Sequence, residues 1–203
     1  MLDLYKKDDK DKKLAKELIS DPMFLDKFIN NFYKQKCSAR YKDFKALHLV
    51  SEENPKLLYK YWDDFIDFIH SGNNTLVFYG IHIITNLLCV DKNKKFPIFF
   101  KDFFMILEGP DLIPACHVAL TSWKIVLAYP GLEQKVTKKL LNTFNSSHQH
   151  KEIICANAFE SFLKYFDDSS YKEAIIKFVD KLKDSKSPKA RKSAKDFILK
   201  YKT

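Results

Sequence analysis

Basic residues that recur at helical spacing in the last third of the chain are the side chains best suited to bind another molecule. A spacing of three or four residues places side chains on one face of a helix. Such a row attracts phosphates or acidic protein surfaces, and the attraction weakens as salt is added. The basic residues predicted to form this partner-binding surface are Lys135, Lys138, Lys139, Lys177, Lys181, Arg191 and Lys192.

The same lysines also fit a second interpretation, a solvated helix face that binds nothing specific. Acidic neighbours such as Glu133, Glu173 and Asp180 dilute the positive field, and the whole chain contains only two arginines. The charge is nevertheless uneven along the chain. Residues 130–203 hold 16 Lys and Arg against 9 Asp and Glu, which is +7 of the formal net charge of +9. The sequence leaves both interpretations open.

Aromatic and acidic residues form a second candidate surface in the first half of the chain. Asp63, Asp64 and Asp67 share one side of a predicted helix, where they could attract a basic peptide or a cation. The alternative is a polar helix face on which Asp63 and Asp64 offset the charge of Lys60. The aromatic residues predicted to be exposed and to contribute binding area are Tyr61, Trp62 and Phe100.

Histidines and cysteines on neighbouring predicted helices could gather as a metal site. They are His82, Cys116, His117 and Cys155, and no HxxxH, HExxH or CxxC spacing accompanies them. The sequence therefore favours core packing and predicts no metal site. A Cys–His nucleophile drawn from the same residues is also disfavoured, because burial raises the pKa of a thiol and makes it unreactive.

Motifs that bind nucleotides or activate a serine nucleophile are missing from the sequence. No GxGxxG, GxxxxGK[ST] or GxSxG pattern occurs, and the chain has only four glycines. No loop is therefore expected to bind a phosphate through a glycine-rich run of backbone amides. We predict no catalytic residue and no cofactor, and the chain is not expected to be an enzyme.

The elements that must position these residues are predicted to be helices throughout. A hydrophobic fraction of 46% and an aromatic fraction of 15% exclude a disordered chain, and alternating segments joined by Asn-Gly or Asp-Gly turns are missing. Helix pairs begin near Ser38, Asn74, Asp111, His150 and Ser187, at intervals of 36, 37, 39 and 37 residues. Helix pairs at this period are typical of an α-solenoid, in which each pair packs on its neighbours.

Local signals place the helix ends. Asp21 is predicted to cap a helix that starts at Pro22. Asn73 or Asn74 is predicted to cap the helix that runs from Thr75 to Val90. Tyr129-Pro130-Gly131 ends an unbroken helix that begins after Asp111. Ser170 and Glu173 have the spacing of a capping box.

A small residue followed by large ones recurs in the first helix of the later pairs, and Arg191 precedes one of these small residues by three positions. On this pattern, residues 38–203 resemble a HEAT/armadillo-type repeat protein. The resemblance implies a right-handed α-α superhelix of about five helical-hairpin units of 36–39 residues. It also implies a partner bound along the concave surface, which the second helices line, and it implies no reaction. The groups that carry the pattern are Gly80 with Ile83-Ile84, Ala119 with Ser122-Trp123, Ala158 with Ser161-Phe162, and Ala194 with Phe197-Ile198.

We predict a single HEAT-like repeat domain over residues 1–203. Residues 1–12 are expected to be a frayed lead-in, and residues 13–36 an atypical N-terminal unit with a short helix from Lys13 to Ser20. The first residues lack the apolar core of a signal peptide, and the longest nearly apolar run, Leu76 to Val90, is only about 15 residues long. The expected location is the cytoplasm, with the nucleus left open, and no membrane insertion is expected.

Two functions follow as hypotheses. The leading one is a non-enzymatic scaffold that holds a protein or peptide partner along the concave face of the solenoid. The alternative is a nucleic-acid-binding protein similar in architecture to the HEAT-like alkylpurine DNA glycosylases, although no catalytic residue can be assigned from that similarity. A basic groove with one carboxylate and one aromatic side chain at its centre would favour the alternative.

Overall fold

The computed structural model describes residues 8–32, 34 and 37–201, which form helices, short 3-10 turns and loops. None of these residues lies in a β-strand, so the predicted all-α class is confirmed. The chain divides into two compact units, Met1–Asn93 and Lys94–Thr203. The frayed state predicted for the first seven residues and the helix end predicted near Gln35 lie outside the described residues. The prediction of a single repeat domain stays a prediction.

The first unit is built around a cluster of aromatic rings. Phe44 stacks on Tyr79 with ring centroids 4.2 Å apart, and Phe32 lies 5.9 Å from the same tyrosine ring. All three side chains are fully buried, so the rings join helices that are distant in sequence. The α-helices of this unit are α1 (Asp9–Ser20), α2 (Pro22–Phe32), α3 (Cys37–Glu53), α4 (Pro55–Leu58), α5 (Trp62–His70) and α6 (Asn74–Leu87), with 3-10 turns at Tyr59–Tyr61 and Leu88–Val90.

The first helix begins earlier than predicted, at Asp9 rather than at Lys13. The Asp8 carboxylate accepts a hydrogen bond from the Asp11 N–H at 2.9 Å, and the Asp11 carboxylate accepts one from the Asp8 N–H at 3.1 Å. Each carboxylate thus satisfies a backbone donor that the first turn leaves without a partner. Asp11 also lies 3.6 Å from the Lys45 ammonium, an ion pair that joins α1 to α3.

Two of the predicted caps are confirmed. The Asp21 carboxylate accepts hydrogen bonds from the N–H groups of Met23 and Phe24, both at 3.0 Å. The Asn73 side chain accepts from the N–H groups of Thr75 and Leu76. Both polar side chains therefore act where the sequence pattern placed them.

Close packing of α5 against α6 depends on Gly80, which is buried inside α6. A Cβ atom at this position would lie 2.6 Å from Cγ1 of Ile69 and 2.7 Å from the carbonyl oxygen of Phe65. The side chain of Ile69 can rotate, but the Phe65 carbonyl belongs to the backbone of α5 and cannot move alone. The absence of a side chain at Gly80 therefore sets the distance between the two helices.

The second unit contains the helices that carry most of the predicted basic surface. The α-helices are α7 (Lys95–Glu108), α8 (Leu112–Thr121), α9 (Trp123–Ala128), α10 (Glu133–Leu141), α11 (Lys151–Phe162), α12 (Lys172–Lys181) and α13 (Pro188–Tyr201), with 3-10 turns at Pro130–Leu132, Asn142–Asn145, Phe166–Asp168 and Leu182–Asp184. α8 packs against both α7 and α11, while α10 contacts α9, α11 and α12, and α13 packs on α12. The small residues Ala119 of α8 and Ala158 of α11 are fully buried.

The helix predicted to run unbroken after Asp111 is interrupted at Ser122, between α8 and α9. The N–H of Trp123 donates to Oγ of Ser161 in α11 at 2.7 Å, and Ser161 is fully buried. The Ser122 hydroxyl donates back to the Val118 carbonyl at 2.6 Å. A side chain of the neighbouring helix therefore takes the place of a helical backbone acceptor, which the sequence of α8 alone does not reveal.

The predicted capping box at Ser170 and Glu173 is wrong. α12 begins at Lys172, and no side chain caps its N-terminus. Instead, the Glu133 carboxylate of α10 accepts hydrogen bonds from the Ser169 hydroxyl at 2.6 Å and from the Ser170 N–H at 3.1 Å. A tertiary contact outweighs the local capping pattern, because one carboxylate of a packed helix binds two donors of the loop.

Helices that open successive pairs start at Cys37, Asn74, Leu112, Lys151 and Pro188, which lie 37 to 39 residues apart. These positions are within one residue of the predicted ones. The superhelical arrangement itself stays a prediction. Within the described ranges, no helix combines the length and the apolar character needed to cross a bilayer.

Replacing Gly80 with alanine is expected to lower the free energy of unfolding by about 1–3 kcal/mol, because the new methyl group meets backbone atoms of α5. Urea unfolding followed by circular dichroism measures the change. Gly131→Ala is the matched control, since a Cβ atom there meets nothing within 4 Å. An equal effect of the two substitutions would show that α5 and α6 are not held at the distance described.

Ser161→Ala is expected to lower the free energy of unfolding by about 1–3 kcal/mol, because it leaves the Trp123 N–H without its acceptor in the core. The control is Ser193→Ala, a half-buried position inside α13. Both changes replace a serine by alanine within a helix, so the difference between their unfolding midpoints isolates the hydrogen bond. Midpoints lowered equally in both variants would contradict this role of Ser161.

Candidate functional site

A groove in the second unit brings several predicted binding residues together. Its larger cavity has a volume of about 710 Å³, and a smaller cavity of about 220 Å³ shares four lining residues with it. We call the two cavities together the lysine groove. The larger cavity is lined by Phe100, Glu108, Lys135, Lys138, Lys139, Leu141, Asn142 and Asn145, and the smaller one by Leu107, Glu108, Lys139, Asn142, Thr143, Asn145, Ser146 and Ser147.

One wall of the groove is the polar face of α10. Lys135, Lys138, Lys139 and Asn142 follow one another at the spacing of a single helix face, as predicted. The opposite face of α10 is fixed in the core by the fully buried side chains of Val136 and Leu140. Two further core contacts hold the helix. Its Thr137 hydroxyl lies 2.9 Å from the buried Tyr165 hydroxyl, and its Leu140 carbonyl accepts from Thr143 at 2.8 Å.

The facing wall comes from α7, in which five apolar side chains are buried and Phe100 is half-buried. The Phe100 ring lies 4.7 Å from that of Phe104 and 6.3 Å from that of Phe96. Since both neighbouring rings are fully buried, they fix one side of Phe100 and leave the other to the groove. The prediction that Phe100 is an exposed aromatic residue is thus met only in part.

The 3-10 turn after α10 supplies side-chain amides to the groove. The Asn145 amide donates to the Asn142 side-chain oxygen at 2.8 Å, and both residues are exposed. Thr143 holds the turn to the core, because its buried hydroxyl oxygen lies 3.4 Å from the sulfur of Cys155. Phe144 packs on Phe178 of α12 at 4.7 Å. The two amides therefore project from a backbone that is held on both sides.

An ion pair links the two walls. The Lys139 ammonium of α10 lies 2.5 Å from Oε1 of Glu108, the last residue of α7. The side chains are 37% and 54% exposed, so water reaches both charges. With three lysines and one glutamate, the larger cavity carries a formal net charge of +2. The groove therefore combines positive charge, carboxamides and an apolar wall, which suits a ligand with anionic and apolar groups.

The basic residues predicted in α12 and α13 line neither cavity. Lys177 and Lys192 are exposed, and the Lys181 ammonium lies 5.5 Å from the centre of the Phe144 ring, beside the groove. The Arg191 guanidinium donates to the carbonyls of Ser185 and Lys186 at 2.7 and 3.0 Å. Arg191 thus holds the loop that precedes its own helix, and only the three lysines of α10 lie in the groove.

The aromatic surface predicted in the first unit is not formed by Trp62. Its side chain is only 2% exposed, so the prediction that Trp62 is an exposed aromatic residue is wrong, because α5 turns this face into the core. Tyr61 is half-buried, and its hydroxyl donates to the Asp26 carboxylate. The Lys60 ammonium lies 2.5 Å from the same carboxylate. These contacts join Lys60 and Tyr61 to α2, so the positions of both side chains are explained without a bound ligand.

The carboxylates of Asp63, Asp64 and Asp67 fit the interpretation as a polar face of α5. Burial raises the pKa of Asp64, and the neighbouring charges of Asp67 and Asp63 raise it further. The carboxylates therefore repel one another. No group of three or more His, Cys, Asp or Glu residues suited to a metal ion occurs among the described residues.

Cys116, His117 and Cys155 of the hypothetical metal site are buried in the second unit, whereas His82 is buried in the first. Cys155 is fully buried and Cys116 is 9% exposed, and burial raises the pKa of each thiol to about 11. Both pKa values are raised, which is the direction expected for buried thiols. Burial also lowers the pKa of His117 to about 4, so this histidine is neutral at physiological pH.

Several residues of the groove were not predicted from the sequence, among them Glu108, Leu141 and Asn145. Glu108 lies 31 residues before its partner Lys139, so no local pattern connects them. Leu141, the last residue of α10, is half-buried and lines the groove. Asn145 enters the groove from the 3-10 turn that follows.

No protein-family model, curated protein or solved structure matches the chain. The resemblance to HEAT/armadillo-type repeats stays a prediction. The function is therefore inferred from the side chains of the groove and their contacts.

Acidification is expected to destabilise the second unit through His117. Its pKa is about 4 in the folded chain against an ordinary value of 6.5, so the neutral form contributes stability above pH 6.5 that is lost as the pH falls towards 4. Between about pH 7 and about pH 4.5, wild type should lose about 2 kcal/mol more than His117→Leu. Denaturant unfolding at both pH values measures this. His150→Leu, at an exposed position, is the control, and identical losses in wild type and His117→Leu would contradict the assignment.

Proposed function

We propose that the protein is a non-enzymatic binding scaffold that holds an acidic peptide segment of a protein partner in the lysine groove, and that its helix pairs form a HEAT-like repeat solenoid. The observation that carries the proposal is the convergence of three lysines, two carboxamides and one half-buried phenylalanine on a single groove. Each of these groups matches one chemical feature of an acidic peptide.

The charge of the groove favours carboxylates as ligands. Lys135 and Lys138 are exposed on the wall formed by α10, three residues apart. Two ammonium groups at this spacing can each contact an acidic side chain of a segment lying along the helix. Positive charge also accelerates the approach of an acidic partner, at low salt more than at high salt.

The carboxamides favour a peptide backbone. A side-chain amide carries both a hydrogen-bond donor and an acceptor, as does each peptide group. The Asn145 N–H₂ group donates to the Asn142 side-chain oxygen. The Asn142 N–H₂ group and the Asn145 side-chain oxygen can therefore bond to a ligand. A phosphate backbone, by contrast, offers acceptors only.

The apolar wall favours a ligand with at least one large side chain. Phe100 and Leu141 are both half-buried and both line the larger cavity. Covering them removes apolar surface from water, which contributes about 25 cal/mol per Å² and supplies affinity that does not depend on salt. An acidic segment with a central aromatic or aliphatic residue satisfies all three parts of the groove.

Nucleic acid is the second candidate ligand, favoured by one specific observation. The groove contains one carboxylate, Glu108, and one aromatic residue, Phe100, beside lysines. This is the combination that the sequence analysis associates with the alkylpurine-glycosylase alternative. Nucleic acid is less well supported, because Lys139 is paired with Glu108 and the Arg191 guanidinium donates to the carbonyls of Ser185 and Lys186. Both contacts limit the positive surface available to successive phosphates.

Binding of the synthetic peptides EEEFEEE, QQQFQQQ and KKKFKKK tests the proposal directly. We expect EEEFEEE to bind more tightly than the neutral peptide and KKKFKKK to bind least, as measured by fluorescence anisotropy. The double variant Lys135→Gln/Lys138→Gln should weaken EEEFEEE binding about tenfold, since each lost charge contact is worth about 0.5–1 kcal/mol at an exposed site. Lys164→Gln/Lys192→Gln removes the same charge at exposed positions outside the groove and is the matched control.

Equal binding of the three peptides, or equal weakening by the two double variants, would contradict a peptide site in the lysine groove. Labelled single- and double-stranded oligonucleotides are titrated in parallel. If an oligonucleotide binds more tightly than EEEFEEE and loses at least about tenfold in affinity between about 50 and about 200 mM salt, the nucleic-acid candidate replaces the peptide.

A further inference from the structure

We infer that Glu108 is an internal competitor for the acidic ligand: its carboxylate occupies Lys139 in the free protein and is displaced when the ligand binds. The inference rests on the proposed function and identifies the residue that regulates affinity at that site. It is carried by the position, the exposure and the charge of the Lys139–Glu108 pair.

The position of the pair divides the groove. Glu108, Lys139, Asn142 and Asn145 line both the larger and the smaller cavity. The Nζ–Oε1 distance of 2.5 Å joins α7 to α10 across the boundary that the two cavities share. A ligand that extends from one cavity into the other therefore meets the ion pair.

The local environment of Glu108 makes it dependent on Lys139. Glu108 is the last residue of α7, where the partial negative charge of the helix C-terminus disfavours a carboxylate. The Lys139 ammonium offsets this repulsion. Among the described residues that line the two cavities, Glu108 carries the single carboxylate.

The exposure of the pair makes it exchangeable. Side chains that are 37% and 54% exposed remain partly hydrated, and an ion pair of this kind contributes only about 0.2–1 kcal/mol. A ligand carboxylate can therefore take the place of Glu108 on Lys139 without a large cost. The released Glu108 carboxylate turns towards water and no longer repels the ligand.

Removing the Glu108 charge is thus expected to strengthen acidic-peptide binding. Glu108→Gln keeps the size of the side chain and removes the charge that repels an acidic ligand. The Lys139 ammonium then has no carboxylate of Glu108 to pair with and can bind a ligand carboxylate. We expect EEEFEEE to bind Glu108→Gln about three- to tenfold more tightly than wild type. Glu173→Gln changes the net charge equally at an exposed position that lines neither cavity, and its affinity should match that of wild type.

A double-mutant cycle tests whether the effect passes through Lys139. In the Lys139→Gln background, the gain from Glu108→Gln should fall to less than about half on a logarithmic scale, because no lysine remains to be released. Circular dichroism and thermal unfolding of each variant verify that the fold is retained. Both residues are partly exposed, so none of these substitutions removes a core contact.

The outcomes separate the inference from the proposed function. If wild type binds EEEFEEE and Glu108→Gln binds it equally or more weakly, Glu108 is not a competitor and the inference is overturned while the peptide site stands. Equal gains in the wild-type and Lys139→Gln backgrounds would also overturn it. Failure of wild type and of every variant to bind the peptide would overturn the proposed function and the inference together.

Discussion

The closeness with which neighbouring helices pack is the constraint on which the rest of the structure depends. In the first unit, α5 and α6 approach until the Phe65 carbonyl leaves no room for a Cβ atom at Gly80. In the second unit, α8 packs on α11, and Ala119 and Ala158 of these two helices are fully buried. The Ser161 hydroxyl of α11 accepts a hydrogen bond from the Trp123 N–H. Larger side chains at these positions would separate the helices and break that hydrogen bond.

The geometry of the lysine groove depends on this packing. Its lysines are long and mobile, but the wall that carries them is fixed by core contacts such as Val136, Leu140 and the Thr137–Tyr165 hydrogen bond. Glu133, in the first turn of the same helix, binds the loop before α12 and fixes the other end. Flexible charged side chains on a rigid wall can follow ligands of differing sequence while the wall keeps the position of the groove.

Local patterns in the sequence predict the helices well and the contacts between them poorly. The caps at Asp21 and Asn73 depend on neighbouring residues alone, so they follow from sequence. The same is true of the helical face that carries Lys135, Lys138 and Lys139. The helix break at Ser122 and the burial of Trp62 each depend on side chains from another helix, as does the pairing of Glu108 with Lys139. Periodicity contains no information about such partners.

The mixed charge of the groove bears on its specificity. A groove lined by lysines alone attracts any polyanion, since an electrostatic attraction does not distinguish a peptide from a nucleic acid. In the proposed binding site, we expect the Glu108 carboxylate to lower the affinity for every anion by a similar amount. We then expect a ligand to bind well only if it also covers Phe100 and Leu141 or bonds to the carboxamides of Asn142 and Asn145. Specificity is a difference between affinities. One repulsive charge weakens the nonselective electrostatic attraction, so the selective contacts supply a larger share of the binding free energy.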